Sequence, residues 1–386
     1  MQGLPGDGGA QLQAKLTGKP EVVHYWCAKK SDDFFDLWLN LELFLPGVIG
    51  CWADNMKLAY NTTTNRTSDM PGVIIRVPGF GNTSTVEWLD NSKRSEGRYF
   101  TDIVEALVPL GYRRGKSIVG APLDWRRAPS MFFIFENFKI WTNRQKLHRY
   151  DLNMKGNRSE LATQGRRIKC RLFREWLRFS LITMILVARD EYETYYANLI
   201  QLIEDLYRYN GRRKVLVIAH SMGNPVMLYF YNNIVSQAWK DKFIHSHVSV
   251  AGAWGGALQI VRLFASGEHL GYNMNHYRIL LPPSTLRDMQ RSFTSSAFLF
   301  PSYNVWNDSE VGPLLLLHPK YSVLAAVGDK NYTLKNVEEF FNDIRYEVGF
   351  SQYQNTAHLL GKFSAPKVEV RYVFISALYV VEKRTI

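Results

Sequence analysis

Lys214–Phe230 reads KVLVIAHSMGNPVMLYF, and this stretch restricts the fold more than any other. Val215, Leu216, Val217 and Ile218 form a short uninterrupted apolar run, the pattern of a strand buried on both faces of a parallel sheet. From Asn224 onward the apolar residues return at helical spacing. Ser221 stands between the two, flanked by Ala219 and Gly223. A serine on so sharp a strand-to-helix turn needs small neighbours, because the backbone is strained and the hydroxyl must project outward. This is an A-x-S-x-G form of the nucleophile elbow, whose following helix aims backbone N–H groups at a developing oxyanion. A buried strand, turn and helix with an incidental serine fits the same stretch, so the rest of the chain has to decide.

The surrounding segments keep one rhythm. VIIRVPGFG (Val73–Gly81) reads as a strand ending in a Pro/Gly turn, and FTDIVEALVPLGY (Phe100–Tyr112) as a helix with a glycine near its end. Tyr192–Gly211 reads as a longer helix stopped by Asn210-Gly211. Phe243–Gly256 and Val368–Ser376 read as further strands. Strands alternating with helices of this length predict an α/β fold around an open, mostly parallel sheet. The segment 131–189 breaks the rhythm and reads as an insertion.

That insertion also holds most of the charge. Of the net +12, residues 131–189 carry thirteen Lys/Arg against four Asp/Glu, so the rest of the chain is nearly balanced. With no nucleic-acid-binding motif beside the basic segment, no nucleic-acid partner is expected. Three cysteines are too few for a disulfide scaffold. Sequons at Asn61, Asn65, Asn82, Asn157, Asn307 and Asn331 favour a secretory route, although no signal peptide is visible at the start. The longest apolar runs are too short to span a bilayer, so membrane contact is expected at the surface only. No metal or cofactor motif is present.

Two further stretches bear on chemistry. LPGDGGAQLQAKL (Leu4–Leu16) is a glycine-rich turn of the kind that supplies a second oxyanion N–H. FFDLWLNLELFLPGVIGCWADNM (Phe34–Met56) is dense in Trp, Leu, Phe and Ile; it reads either as a core helix or as an exposed apolar loop that docks on membranes.

With VVHYWC, WLNLELFLPGVIGCW, GVIIRVPGFG, GYRRGKSIVGAPLDWRRAP, AHSMGNP, QAWKDKFI and LLPPSTLRDMQRSFTSSAFLFPS, these stretches resemble the lecithin:cholesterol acyltransferase family, especially its lysosomal phospholipase A2 branch. The resemblance runs from about Leu4 to about Val370, with 131–189 as a gap. It implies one α/β-hydrolase region over 1–386, with a membrane-binding loop subdomain at 24–60 and a lid at 240–345. The implied activity is that of a serine phospholipase and O-acyltransferase, passing an acyl group to water or a lipid hydroxyl. Ser221 matches the nucleophile, and the N–H groups of Asp7 and Met222 match the oxyanion hole. Cys27 and Cys51 match the disulfide of the membrane-binding loop. Trp38, Leu39, Leu41, Leu43, Val48, Ile49 and Trp52 match its lipid-facing region, and Asp124, Trp125 and Arg126 a supporting D-W-R stretch. The implied partners are a phospholipid surface and a lipid acyl acceptor, for a monomer in the lysosome or secreted.

Acyl transfer by serine also needs a base and an acid, in the chain order Ser, Asp/Glu, His. In the family the acid sits in a G-D-G-T stretch with the histidine in a later loop, and neither stretch occurs here. His220, His245, His247, His269, His276, His318 and His358 read as packing or surface residues. The strand expected before LPGD is also missing from the pattern, so the fold is expected to be incomplete at both ends. The alternative implied by these departures is a non-catalytic relative that keeps the lipid-binding loop.

Overall fold

The computed structural model describes residues 1–93, 97–129, 191–267, 283–303, 323–360 and 367–373. The predicted insertion at 131–189 and parts of the predicted lid, with the sequons at Asn157 and Asn307, lie outside them. The chain divides into two compact units, residues 1–129 with 199–386, and Ser130–Asn198. In the second unit the described residues open the helix Glu191–Tyr209, where Tyr192, Tyr195 and Tyr196 pack edge to face.

The first unit is built on a parallel sheet. Its described strands run in the spatial order Val370–Val373, Ile244–Val250, Val215–His220, Gln2–Leu4, Val119–Gly120. Val215, Val217, Ile218 and Ala219 are all buried, as a central parallel strand requires. Sequence patterning missed two of these strands, Gln2–Leu4 and Val119–Gly120. Gln2–Leu4 pairs with strands on both sides, Gln2 opposite Val217 and Val119. A strand therefore does precede the glycine-rich turn, too short to show a period.

Val73–Arg76 is a strand as predicted, but it belongs to a separate antiparallel sheet with Leu12–Leu16 and Phe35–Trp38. The helix Thr101–Leu107 continues into a short 3-10 turn, Val108–Leu110, and ends where Gly111 takes φ +91°. Phe34–Met56 is neither one helix nor one loop: strand Phe35–Trp38 leads to a 3-10 turn, Leu41–Phe44, and then to helix Ile49–Met56. Cys27 and Cys51 form the implied disulfide, with Cα atoms 5.5 Å apart.

A buried ionic knot joins these pieces. Arg126, fully enclosed, donates from Nε to Asp124 Oδ1 at 2.8 Å and from Nη2 to Asp124 Oδ2 at 2.7 Å and Asp69 Oδ1 at 2.9 Å. Its Nη1 reaches the carbonyl of Met56 at 3.2 Å, and Arg127 adds a 3.0 Å bond to Asp69. Burial alone would push the Asp124 carboxyl up, but the two guanidinium groups hold it down at about 2. The knot ties the D-W-R stretch to the hairpin formed by strands Leu58–Asn61 and Arg66–Asp69, and to the helix Ile49–Met56.

Removing one partner of such a knot leaves uncompensated charge in the interior, so Arg126→Met is expected to lower stability by about 3–5 kcal/mol. The exposed Arg98–Asp102 pair is worth under about 1 kcal/mol, so Arg98→Met is its control. Urea unfolding midpoints compare the two; equal midpoints would remove the structural role given to the knot.

Candidate active site

Ser221 adopts φ +50°, a conformation that a side chain other than glycine rarely takes and that costs about 1–3 kcal/mol. The surrounding hydrogen bonds hold it there. The Ser221 N–H donates to the carbonyl of Val250 at 3.0 Å. Its own carbonyl accepts from the N–H groups of Asn224 at 3.1 Å and Ala253 at 3.3 Å. The Asn224 side chain adds to this, donating from Nδ2 to the carbonyls of Ala219 at 3.2 Å and Ser221 at 3.1 Å. Beneath it, His247 is fully buried and its Nε2 lies 3.0 Å from Asn224 Oδ1. Burial pushes the His247 imidazole down to about 4, so it is neutral at ordinary pH and donates through Nε2–H.

The glycine-rich turn packs directly on this elbow. A Cβ on Gly6 would come within 2.8 Å of Ser221 Cβ, and one on Gly223 within 2.7 Å of the Pro5 carbonyl. Both positions exclude any side chain, and the contact sets Asp7 and Met222 beside the serine. Neither the Asp7 nor the Met222 N–H has an acceptor among the described residues, which leaves both available to an oxyanion. Ser221 is half-buried, whereas Met222 is fully enclosed.

Tryptophans hold the far side of the turn. Trp38 Nε1 donates to the Gly8 carbonyl at 2.7 Å, and Trp125 Nε1 to that of Ala10 at 3.0 Å. The two rings meet edge to face at 5.3 Å, and Trp52 stacks beside Trp38 at 6.3 Å.

The family model for lecithin:cholesterol acyltransferase matches residues 34–143 and 184–385. The chain belongs to the lecithin:cholesterol acyltransferase family. It is 38% identical over 371 residues to the mouse (Mus musculus) lysosomal phospholipase A and acyltransferase, covering 96% of this chain and 70% of that protein. The human (Homo sapiens) protein of the same name is 36% identical over the same share of each chain. The mouse phosphatidylcholine-sterol acyltransferase is 32% identical over 95% of this chain and 65% of its own length. Against the expected span of about Leu4 to Val370 with a gap at 131–189, the family match starts at residue 34, leaves 144–183 unmatched and runs on to residue 385. The parallel sheet fits the α/β-hydrolase core of this family.

The turn and the elbow that carry Asp7, Ser221 and Met222 are in contact through Gly6 and Gly223. The predicted lipid-facing set divides. Trp38, Leu39 and Trp52 are buried and not presented to lipid: Trp38 bonds the turn, and Trp52 stacks on Trp38. Leu41, Leu43 and Ile49 are half-buried, and Val48 is 36% exposed. The exposed apolar residues beside them are Val23, Tyr25, Trp26 and Leu45, with Tyr25 at 92% exposure. Trp26 Nε1 bonds the Gly47 carbonyl at 2.8 Å, which with the disulfide draws Tyr25, Trp26, Leu45 and Val48 into one region. Sequence reasoning did not single out Asn224 or Tyr99, and His247, read as a packing or surface residue, is buried against Asn224. Among the described residues there is no cluster suited to a metal ion, and no helix is long and apolar enough to cross a membrane.

The Asp7 side chain gives a pH signature. Its Oδ1 is sealed from water and has no hydrogen-bond partner, and desolvation raises the carboxyl to about 7, against a smaller lowering by the Gly8 N–H. The folded chain then holds a proton that the unfolded chain releases near 3.8, so the stability due to this group is full below pH 4 and falls as pH rises from about 4 to about 7. Asp7→Asn is expected to remove that slope. Thermal unfolding across this range checks it; parallel curves for the two proteins would contradict it.

Proposed function

We propose that this protein is a serine phospholipase and O-acyltransferase acting at a phospholipid surface. The observation that carries the reading is the strained, half-exposed Ser221 beside two unoccupied backbone donors. The family membership and the names of its relatives, lysosomal phospholipase A and acyltransferases and phosphatidylcholine-sterol acyltransferase, support a phospholipid substrate and a lysosomal or secreted setting.

In this reading Ser221 Oγ attacks the carbonyl carbon of a phospholipid acyl ester. As the hydroxyl proton leaves, charge develops on the carbonyl oxygen, where the N–H groups of Asp7 and Met222 receive it. Collapse of the tetrahedral species breaks the ester bond, and the lysophospholipid departs as an alcohol, its oxygen taking up the proton that Ser221 released. Water or a lipid hydroxyl then attacks the acyl-Ser221 ester and restores the serine. Among the described residues no group is hydrogen-bonded to Ser221 Oγ. His220 and His247 are engaged with Tyr99 and Asn224. The base and acid are therefore assigned to neither.

Docking is assigned to the exposed apolar residues of the disulfide-tied region, Tyr25, Trp26, Leu45 and Val48. A second reading, lipid-surface binding without catalysis, is favoured by the unpartnered Ser221 hydroxyl, and one experiment separates the two. With phosphatidylcholine vesicles and an alcohol acceptor, Ser221→Ala is expected to reduce acyl release about a million-fold while vesicle binding stays intact. Equal acyl release by wild type and Ser221→Ala would overturn the catalytic reading. Tyr25→Ser with Trp26→Ser is expected to weaken vesicle binding at least about tenfold, from the apolar surface lost; unchanged vesicle sedimentation would move the docking surface elsewhere.

A further inference from the structure

Tyr99 lies just before the helix Thr101–Leu107, far in sequence from both halves of the site, yet its hydroxyl touches both. The Gly6 N–H donates to Tyr99 Oη at 3.0 Å, and the same oxygen lies 2.6 Å from His220 Nδ1. Gly6 directly precedes Asp7, and His220 directly precedes Ser221. The ring rests on the turn itself: a Cβ on Gly9 would come within 2.8 Å of Tyr99 Cε1. Tyr99 is fixed from behind, its N–H donating to the Glu87 carbonyl at 2.9 Å and its ring meeting Phe100 edge to face at 4.9 Å.

We infer that Tyr99 is a positioning residue, a clamp whose hydroxyl sets the separation between the two oxyanion donors, the Asp7 and Met222 N–H groups, by bonding Gly6 on one side and His220 on the other. The inference rests on the reading of Ser221 as nucleophile. It deepens that reading by assigning a residue outside the elbow and the turn.

The direction of the bonds follows from the groups. Tyr99 Oη accepts from an amide that can only donate, and its own proton makes the 2.6 Å bond to His220 Nδ1. Burial lowers the His220 pKa, which favours the neutral ring whose Nδ1 can accept. A donor chain from backbone N–H through phenol to imidazole polarises along its length, and each bond strengthens the next. The chain matters for chemistry because oxyanion donors act only within about 2.7–3.1 Å of the developing charge, and a misplacement of about 1 Å can cost about a hundredfold in rate.

The test uses the full chain, a fluorophosphonate probe that bonds covalently to an activated serine, and intact-mass detection, with Ser221→Ala as the blank. Tyr99→Phe removes only the hydroxyl. It is expected to slow the bond-forming step at least about tenfold while leaving the probe's binding constant unchanged. His220→Leu is expected to match it, and the double variant to be no slower than either single, since both break one chain. His220→Asn places an amide oxygen where Nδ1 stands and is expected to restore labelling to within about threefold of wild type, a rescue that a merely structural role does not predict. Labelling of Tyr99→Phe at the wild-type rate, or additive losses in the double variant, would overturn the clamp.

Hydrogen exchange of the peptides spanning 4–10 and 218–224 supplies a readout independent of reactivity. Tyr99→Phe is expected to speed exchange at the Gly6 amide about fivefold or more and to loosen both peptides together; unchanged exchange in both overturns the inference. If wild type takes no label at all, the nucleophile reading fails, and the exchange data alone decide the clamp.

Discussion

The site depends on one steric fact: the Leu4–Gly6 backbone lies in contact with the Ser221 elbow, with no room for a side chain between them. A Cβ on Gly223 would sit 3.0 Å from the Leu4 carbonyl and 2.7 Å from that of Pro5. That contact exists because Gln2–Leu4 and Val215–His220 are adjacent parallel strands, so their following turns leave the sheet at the same edge. A parallel pair brings two strand ends together, and the chemistry of an oxyanion hole needs that convergence.

Around this contact the protein spends its buried polar groups on backbone carbonyls and amides. Asn224 donates beneath Ser221 and is itself oriented by His247. Trp38 and Trp125 donate to the turn from behind, and Tyr99 accepts from its front. Each bond alone contributes about 1 kcal/mol net, too little to dominate folding. Their joint effect is to fix a strained φ at Ser221 and a narrow gap beside it, which is a matter of precision more than of stability. The Asp124–Arg126 knot serves the same end one layer out, since Trp125 stands between its two members in sequence.

Much of this was legible in the sequence because it obeys local rules. The apolar run before Ser221, the small residues about it and the Asn-Gly stop after the long helix each report a nearby conformation, and the structure has them where the pattern puts them. Trp38 and Trp52 were misread because an aromatic, leucine-rich stretch looks the same whether it faces lipid or an interior. Only the indole N–H bonds to Gly8 and Leu37 reveal that these rings are enclosed. Tyr25 and Trp26, two aromatic residues on a loop with no period, carry the exposed surface instead. Gln2–Leu4 was missed because three residues hold no period. Tyr99 and His247 act across separations of 121 and 23 residues, which no local pattern encodes.

The central claim, that Ser221 carries the acyl group between donor and acceptor, is tested most directly by trapping the intermediate. The protein is mixed with phosphatidylcholine vesicles, quenched in acid within one turnover, and digested for mass spectrometry. The account predicts the mass of one acyl chain on the peptide containing Ser221 and none in the Ser221→Ala protein. An acyl group on another residue, or free fatty acid released with no acylated Ser221 at any time, would contradict it.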